Sequence, residues 1–371
     1  MEEKSYWLGF SMFLGIGPKK FNLLLEHFGS AKNAWEAPLD ELKTIGIGTK
    51  VPEDFAAFRK NFSIEGYEQL LQAKGVKYLI VSEASYPQRL AKINNPPFIL
   101  YIRGNPDILM PHSAKGYGGA QQDKMIAIVG TRKITSYGRQ VTEMFTQELV
   151  HAGCIIVSGL ALGVDAVAHK ATLDAGGKTI ADLGCGVDCC YPSTNSRLYD
   201  EILDKGGAIV SEYGLGVPPN QGSFPSRNRI IAGLSQGVLV TEGAVDSGSL
   251  ITAKDAFENN RPVFAVPGPI TSTLSKGPYE LIQKGGRLVT SGREVLEALH
   301  IKGITGTTST TILKGDTEEE QKIIDLLGEQ EMDFDEIVKK TNIQSSMVGG
   351  ILSLMEMKGM VKSSEGMFTL A

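Results

Sequence analysis

The stretch Ile126-Ala127-Ile128-Val129-Gly130-Thr131-Arg132-Lys133-Ile134-Thr135-Ser136-Tyr137-Gly138 decides the fold. A short apolar run rich in β-branched residues ends in glycine, and a polar turn then leads into a segment with helical periodicity from about Arg139. This is how a buried strand passes into a helix. The same unit recurs, with strands read at Ile155–Gly159, Thr179–Gly184, Ala208–Glu212, Gly237–Glu242, Pro262–Gly268 and Arg287–Thr290. Strands alternating with helical stretches predict a parallel sheet wrapped by helices over residues 125–299. In an open sheet of this kind ligands bind outside the carboxyl ends of the strands, so function is to be sought in the loops there.

Four of those loops stand out. After the first strand, a dinucleotide site would need G-x-G-x-x-G and an acidic residue ~20 positions on. Neither is present, so NAD is not expected. Gly130 and Thr131 lead instead to a cation, Arg132, which suits a phosphate held by a side chain together with helix-terminal amides. The second loop, Val157-Ser158-Gly159-Leu160-Ala161-Leu162-Gly163-Val164-Asp165, puts Gly159 and Gly163 where small residues would let a polyanion reach the backbone. Tight strand-to-helix packing explains the same glycines. His169 and Asp165 read as a core residue and a helix-terminal partner. The third loop, Phe224-Pro225-Ser226-Arg227-Asn228-Arg229, opens a helix with an aromatic, two arginines and an asparagine, a set suited to single-stranded nucleic acid. Arg227 and Arg229 are two apart and cannot share a helix face, so they are expected to differ in role, one binding and one bracing. Phe224 is a stacking platform or a plug beneath the loop; sequence does not separate the two. The fourth, Ser247-Gly248-Ser249, offers amides and hydroxyls at a helix start. No catalytic triad, Walker motif, metal cluster or informative carboxylate pair accompanies them. The loops are built for binding, with no catalytic residue, no metal and no cofactor expected.

Outward from this core, Val76–Val81 and Phe98–Ile102 read as two further strands, and a polar, glycine-rich stretch near 110–124 as a flexible loop. The first ~75 residues read as short helices. Leu14-Gly15-Ile16-Gly17-Pro18-Lys19-Lys20 has the pattern of a helix-hairpin-helix turn, with a weaker echo at Ile45–Lys50. Such a turn is as consistent with helix packing as with phosphate binding. A Thr/Gly-rich linker is read over 300–317, and residues 318–371 as three helices and a hairpin, a winged helix. Apolar residues Met347, Ile351, Leu354 and Met355 mark the third of these helices. The expected domains are therefore 1–75, helical and SAM/helix-hairpin-helix-like; 76–299, an extended Rossmann-like domain; the linker; and the winged helix, 318–371.

The 371 residues carry a formal net charge of −5, at first sight unfavourable for a nucleic-acid partner. The excess is local: residues 316–371 hold 12 acidic and 5 basic side chains, whereas residues 125–299 hold 17 and 15. No stretch approaches the ~18 apolar residues of a membrane helix and the amino terminus is acidic, so a cytoplasmic protein is expected, without membrane contact. Of the four cysteines, Cys185, Cys189 and Cys190 crowd one segment with no histidine nearby in sequence, which reads as free thiols.

Taken in order and spacing, Ile126–Arg132, Val157–His169, Cys185–Pro192, Ser211-Glu212-Tyr213, Phe224–Arg229, Ser247–Ala253 and Arg261–Gly268 resemble the signature of the DNA-processing protein A (DprA/Smf) family. The resemblance implies a non-enzymatic protein that binds and protects incoming single-stranded DNA and helps load the recombinase RecA, including onto DNA coated by single-strand-binding protein. It also implies a homodimer, and a DNA pocket lined by Arg132, Phe224, Arg227, Asn228 and Arg229. Two positions depart from the pattern. Ser193 stands where many relatives have lysine, and Gly277-Pro278-Tyr279 stands where Gly-x-Asn is usual. Asp182 occupies a strand position that is usually apolar.

Two other readings compete. The sheet also resembles phosphoribohydrolases that cleave nucleoside monophosphates, but Thr252 stands where their loop needs a catalytic glutamate. A duplex-reading winged helix would need cations on its recognition helix, and Gln344 to Lys358 offers only Lys358.

Overall fold

The computed structural model describes residues 1–109, 124–301, 315, 317–328, 331–358, 360–364 and 366–370. The loop read near 110–124 and the linker read over 300–317 lie almost wholly outside them. Contacts divide the chain into two compact units, Met1–Gly303 and Ile304–Ala371.

The first unit is organised by a nine-stranded sheet. Its strands are β1 (Val76–Ile80), β2 (Ile99–Gly104), β3 (Met125–Val129), β4 (Ile155–Ser158), β5 (Thr179–Asp182), β6 (Ala208–Ser211), β7 (Gly237–Val240), β8 (Val263–Ala265) and β9 (Arg287–Leu288). The order across the sheet is β1-β2-β6-β5-β4-β3-β7-β8-β9. From β6 to β9 all neighbours are parallel, while β2 joins β6, and β1 joins β2, in antiparallel pairs. The strand period of two is visible in β3, where Met125, Ala127 and Val129 pack on one face and Ile126 and Ile128 on the other. Helices Ser223–Leu234 and Gly248–Glu258 cover the first face; Ser136–His151, Val164–Asp174 and Gly292–Ala298 cover the second.

The amino-terminal helices share a core with this sheet. Trp7, Phe10, Phe21 and Leu24 pack in one cluster with Ile99 and Tyr101 of β2, and Phe21 stacks on Phe98 at 4.3 Å between ring centroids. Ser11 Oγ and Tyr101 Oη lie 2.5 Å apart, and Leu215 N donates to Tyr67 Oη at 2.7 Å. The glycine turn at 14–20 does pass into a helix, Pro18–Phe28, with Gly17 as its cap and proline in its first turn.

The second unit holds helices Glu318–Leu327, Phe334–Thr341 and Ser345–Met357 and strands β10 (Met332–Asp333), β11 (Val361–Ser364) and β12 (Met367–Leu370), paired β10-β12-β11. That is the winged-helix order, with a short strand added between the first two helices. Its third helix buries Val348, Leu352 and Met355 at helical spacing, and leaves Met347 and Leu354 half exposed. The buried stripe thus runs one residue away from the one that Met347 and Leu354 mark in the sequence.

Candidate nucleic-acid interface

The chain leaves β3 toward β4 on one side and later returns to β7 on the other, so the sheet's direction of growth reverses between β3 and β7. Such a reversal leaves a crevice at the carboxyl ends of the two strands, where neighbouring connections diverge. A cleft of about 760 Å³ lies there. Its walls are the turn after β3, the Ser247-Gly248-Ser249 helix start after β7, and the Phe224–Asn228 turn of helix.

Short bonds between loops hold these walls. Thr131 N donates to the Glu242 carbonyl at 2.7 Å, and Val164 N donates to the Thr131 carbonyl at 3.1 Å. The Glu242 carboxylate, buried, accepts from Thr135 N at 3.0 Å and Thr135 Oγ1 at 2.7 Å. Thr135 in turn caps helix Ser136–His151 by accepting from Gly138 N. The turn that carries Arg132 is therefore pinned from both the β7 and the β4 sides.

At the mouth, the exposed Arg132 guanidinium lies over the Phe224 ring, 5.7 Å from its centroid, and the Phe224 ring lies 5.3 Å from that of Tyr191. A cation and two aromatic faces form one continuous patch. Phe224 is partly exposed and Tyr191 is 47% exposed, so ring area remains open to a ligand. Sequence reasoning misses Tyr191; its signal is an aromatic residue in the loop after β5, at the same edge of the sheet.

Arg227 lies below. It is 4% exposed, and its Nε and Nη1 have no hydrogen-bond partner among the described residues. Its charge is felt by three buried neighbours. Burial pushes the Asp165 carboxyl up against the pull of Arg227, and Asp165 accepts from Gly159 N at 3.0 Å. Burial, helped by Arg227, pushes His169 down to about 3. That neutral imidazole accepts from Leu160 N through Nε2 and meets Thr179 Oγ1 at 2.7 Å through Nδ1, the place of a core residue. Asp182, fully buried and with neither oxygen in hydrogen-bonding geometry with any partner among the described residues, is pushed well above the carboxylate range by burial, with Arg227 opposing. The polar strand residue thus sits within the field of this arginine. Leaving a buried carboxyl unpartnered is costly unless it is protonated or compensated by a nearby cation.

The glycines serve these contacts. A Cβ on Gly159 would sit 1.7 Å from Arg227 Nη1, and one on Gly163, where φ is +79°, would sit 2.2 Å from the Thr131 carbonyl. A Cβ on Gly130 would meet the Glu242 carbonyl at 2.6 Å. Close packing between loops accounts for all three, so the expectation of open backbone at Gly159 and Gly163 gives way to the packing reading. Gly159 is not among the residues lining the cleft, and Gly163 faces a neighbouring groove.

Arg229 also stands outside the lining. Its guanidinium forms a two-bonded pair with Glu212, at 2.9 and 2.7 Å, and donates to the Asn95 and Ser226 carbonyls. Arg227 and Arg229 therefore do diverge, and Arg229 is the brace. Asn228 links the walls by donating to the Gly248 carbonyl at 3.2 Å, and Ser247 caps its helix with Ser249 Oγ 2.8 Å from its own hydroxyl. Among the described residues, nothing lies within 4 Å of where a Cβ on Gly248 would sit. Thr252, at the position where a phosphoribohydrolase would carry its glutamate, lines the cleft with a hydroxyl. The assembled groups can neutralise phosphate, stack on a flat ring and donate amides to an anion.

No helix among the described residues is long and apolar enough to cross a membrane. The family model described as DNA recombination-mediator protein A matches residues 77–300, and that of the DprA winged helix domain matches residues 308–367. Protein Smf of Synechocystis is 40% identical over 298 residues, 80% of this chain and 73% of that protein. The DNA processing protein DprA of Streptococcus pneumoniae is 45% identical over 211 residues, 57% of this chain and 70% of its own. The solved structure of the pneumococcal protein aligns with a TM-score of 0.65 at 36% identity, covering 80% of this chain and 96% of that one. A Helicobacter pylori DNA processing protein A, whose structure describes a single-stranded DNA binding mode, aligns at 0.52 and 31% identity over 61% and 95% of the two chains. With matching family models, a matching fold and relatives at this level of identity, the chain belongs to the DNA recombination-mediator protein A family, the DprA/Smf proteins.

Proposed function

We propose that this chain is a non-catalytic, cytoplasmic single-stranded-DNA-binding protein that protects incoming DNA and assists RecA loading during natural transformation and recombination. The observation that carries the reading is the Arg132–Phe224–Tyr191 patch at the mouth of the strand-end cleft, with Arg227 beneath it. A cation beside open rings suits an unpaired strand, whose bases can turn onto the rings while its phosphates meet the guanidinium; a duplex keeps its bases stacked inside. Gly130, Thr131, Asn228, Ser247, Gly248 and Ser249 complete the site. Gly159, Gly163 and Arg229 hold it in shape.

In this reading residues 76–299 carry the DNA, residues 1–75 buttress the sheet, and residues 318–371 serve a protein contact or a regulatory role. The working form is a two-fold homodimer, and the partners are single-stranded DNA, RecA and single-strand-binding protein. Salt-titrated binding of single-stranded and duplex oligonucleotides tests the core of it: single strands should bind more tightly, with a steep loss of affinity as salt rises. Equal affinity for both would overturn it. RecA loading is tested by the rate of RecA filament formation on strands coated with single-strand-binding protein, with and without this chain. An unchanged rate would remove that part.

A further inference from the structure

Across the Arg132–Lys133 turn from the cleft lies a second groove of about 770 Å³, walled by helices Ser136–His151, Val164–Asp174 and Ser196–Asp204. Arg132 and Lys133 line both hollows, which makes the turn a shared rim. Beyond it the second groove presents Arg139, Lys170 and Arg197, and its lining includes a single carboxylate, Glu201. We infer that this groove is a second subsite for the DNA backbone, which takes the phosphodiesters of a strand that leaves the cleft over Arg132 and Lys133. The inference rests on the single-strand reading of the cleft.

The chemistry of the two hollows differs in a way that fixes what the second can hold. The cleft offers the rings of Phe224 and Tyr191, whereas the described lining of the second groove has no aromatic residue. It can neutralise phosphate but cannot stack bases, so its contribution should be indifferent to base identity and steeply dependent on salt. Its cations are presently engaged with carboxylates. Lys170 and Arg197 both meet Glu201 at 3.1 Å, Lys170 also meets Asp174 at 2.9 Å, and Arg139 lies 3.7 Å from Glu143. These are exposed pairs of low net worth, and a run of phosphates can displace them. Glu201, shared by two cations, is the internal competitor for the strand.

The test compares oligo-dT of about 4 nucleotides, short enough for one hollow, with oligo-dT of about 16 nucleotides, long enough for both. The Lys170→Ala/Arg197→Ala double variant changes exposed side chains away from the cleft. It should bind the short strand as the wild type does. It should lose roughly tenfold in affinity for the long strand, and its salt slope should flatten by about 0.7 for each phosphate no longer neutralised. Glu201→Gln should act oppositely and tighten the long strand alone. Equal losses on both lengths, or no loss on either, would overturn the second subsite while leaving the cleft's single-strand binding intact. A wild-type chain that binds neither length would instead remove the cleft reading, and this inference with it.

Discussion

The strand-end cleft and the carboxy-terminal winged helix are both places where a DNA-handling fold could grip its ligand, and they are built on opposite electrostatic plans. In the cleft's lining Arg227 and Asp165 are less than a tenth exposed, as are the neighbouring Asp182 and Glu242, and the exposed charges of the lining are Arg132, Lys133 and Asp246. In the winged helix an apolar cluster does the holding, the described buried ionisable residue is Glu320, and residues 316–371 carry 12 acidic against 5 basic side chains. Its third helix shows solvent Met347, Leu354 and Met357 in place of a row of cations. A topology associated with duplex reading thus comes without the charges that duplex reading requires. The two regions differ in how their charges are fixed: by burial and hydrogen bonds around the cleft, and by an acidic excess around an apolar core in the winged helix.

The largest effects should come from breaking the frame of the cleft. Arg229→Ala would strand Glu212, since each side chain of the pair is only 13% exposed. A loss of about 3–5 kcal/mol in unfolding free energy is expected, read by chemical denaturation. A loss below about 1 kcal/mol would put this pair on the footing of an exposed ion pair and blur the contrast with the tail. The frame should also show in the pH dependence of stability. His169 is held at about 3 in the folded chain against 6.5 for the free side chain. Between those values the unfolded chain binds the extra proton, so the contribution of His169 to stability falls as pH drops from about 6.5 toward 3, by at most ~1.4 kcal/mol per pH unit. Asp165 and Asp182, pushed up by burial, work in the opposite sense below neutrality, so the quantity to measure is the difference in slope between the wild type and His169→Gln. Identical slopes would mean that His169 titrates normally.

The next effects are on binding and separate the components of the cleft's mouth. Arg132→Ala should cost about 1–3 kcal/mol of single-strand affinity and flatten the salt slope by about 0.7 for each phosphate it ceases to neutralise, without loss of stability. A folded variant with wild-type affinity and slope would take the cleft out of DNA binding. Phe224→Ala should cost a similar ~1–3 kcal/mol with little change in slope, because stacking releases no counterions. If the ring serves instead as a plug between Tyr191 and Arg132, the melting temperature will fall together with affinity. Titrations at two salt concentrations and one thermal melt for each variant distinguish these outcomes.

Much of this is legible in the sequence because strands and their ends are local. Each core strand can be read to within a few residues, since β-branched runs ending in glycine, serine or glutamate leave little choice of element. What is illegible is long-range. Gly159 reads as an opening for a ligand until Arg227, 68 residues on, is seen to fill the space over it. The spacing of Arg227 and Arg229 shows that they must face different ways, but only the position of Glu212 at the end of β6 decides which one braces. Tyr191 joins the site because the sheet brings the loop after β5 beside the helix that carries Phe224. On the third winged-helix helix, several apolar residues in succession leave the buried stripe undetermined by periodicity alone, and packing against Ile323 and Ile337 selects Val348, Leu352 and Met355.

The smallest expected effect is the one that tests the other half of the comparison. Deleting residues 317–371 removes 11 acidic and 5 basic side chains, and takes the formal net charge of the chain from −5 to +1. If the cleft alone holds the strand, the removal of a net acidic unit can act on DNA only through the long-range field. That field decays over a Debye length of about 10 Å at 0.1 M salt. Single-strand affinity should therefore stay within about 1 kcal/mol of the full chain, or tighten slightly at low salt as like-charge repulsion is removed, and the two proteins should converge as salt rises. Direct phosphate binding by the tail would behave differently: the deletion would weaken binding at every salt concentration and reduce the salt slope, because fewer phosphates would be neutralised. A fall of more than about tenfold, persisting at high salt, would place DNA on the winged helix despite its charge. The apolar face of Met347, Leu354 and Met357 would then need to be read as part of a DNA interface.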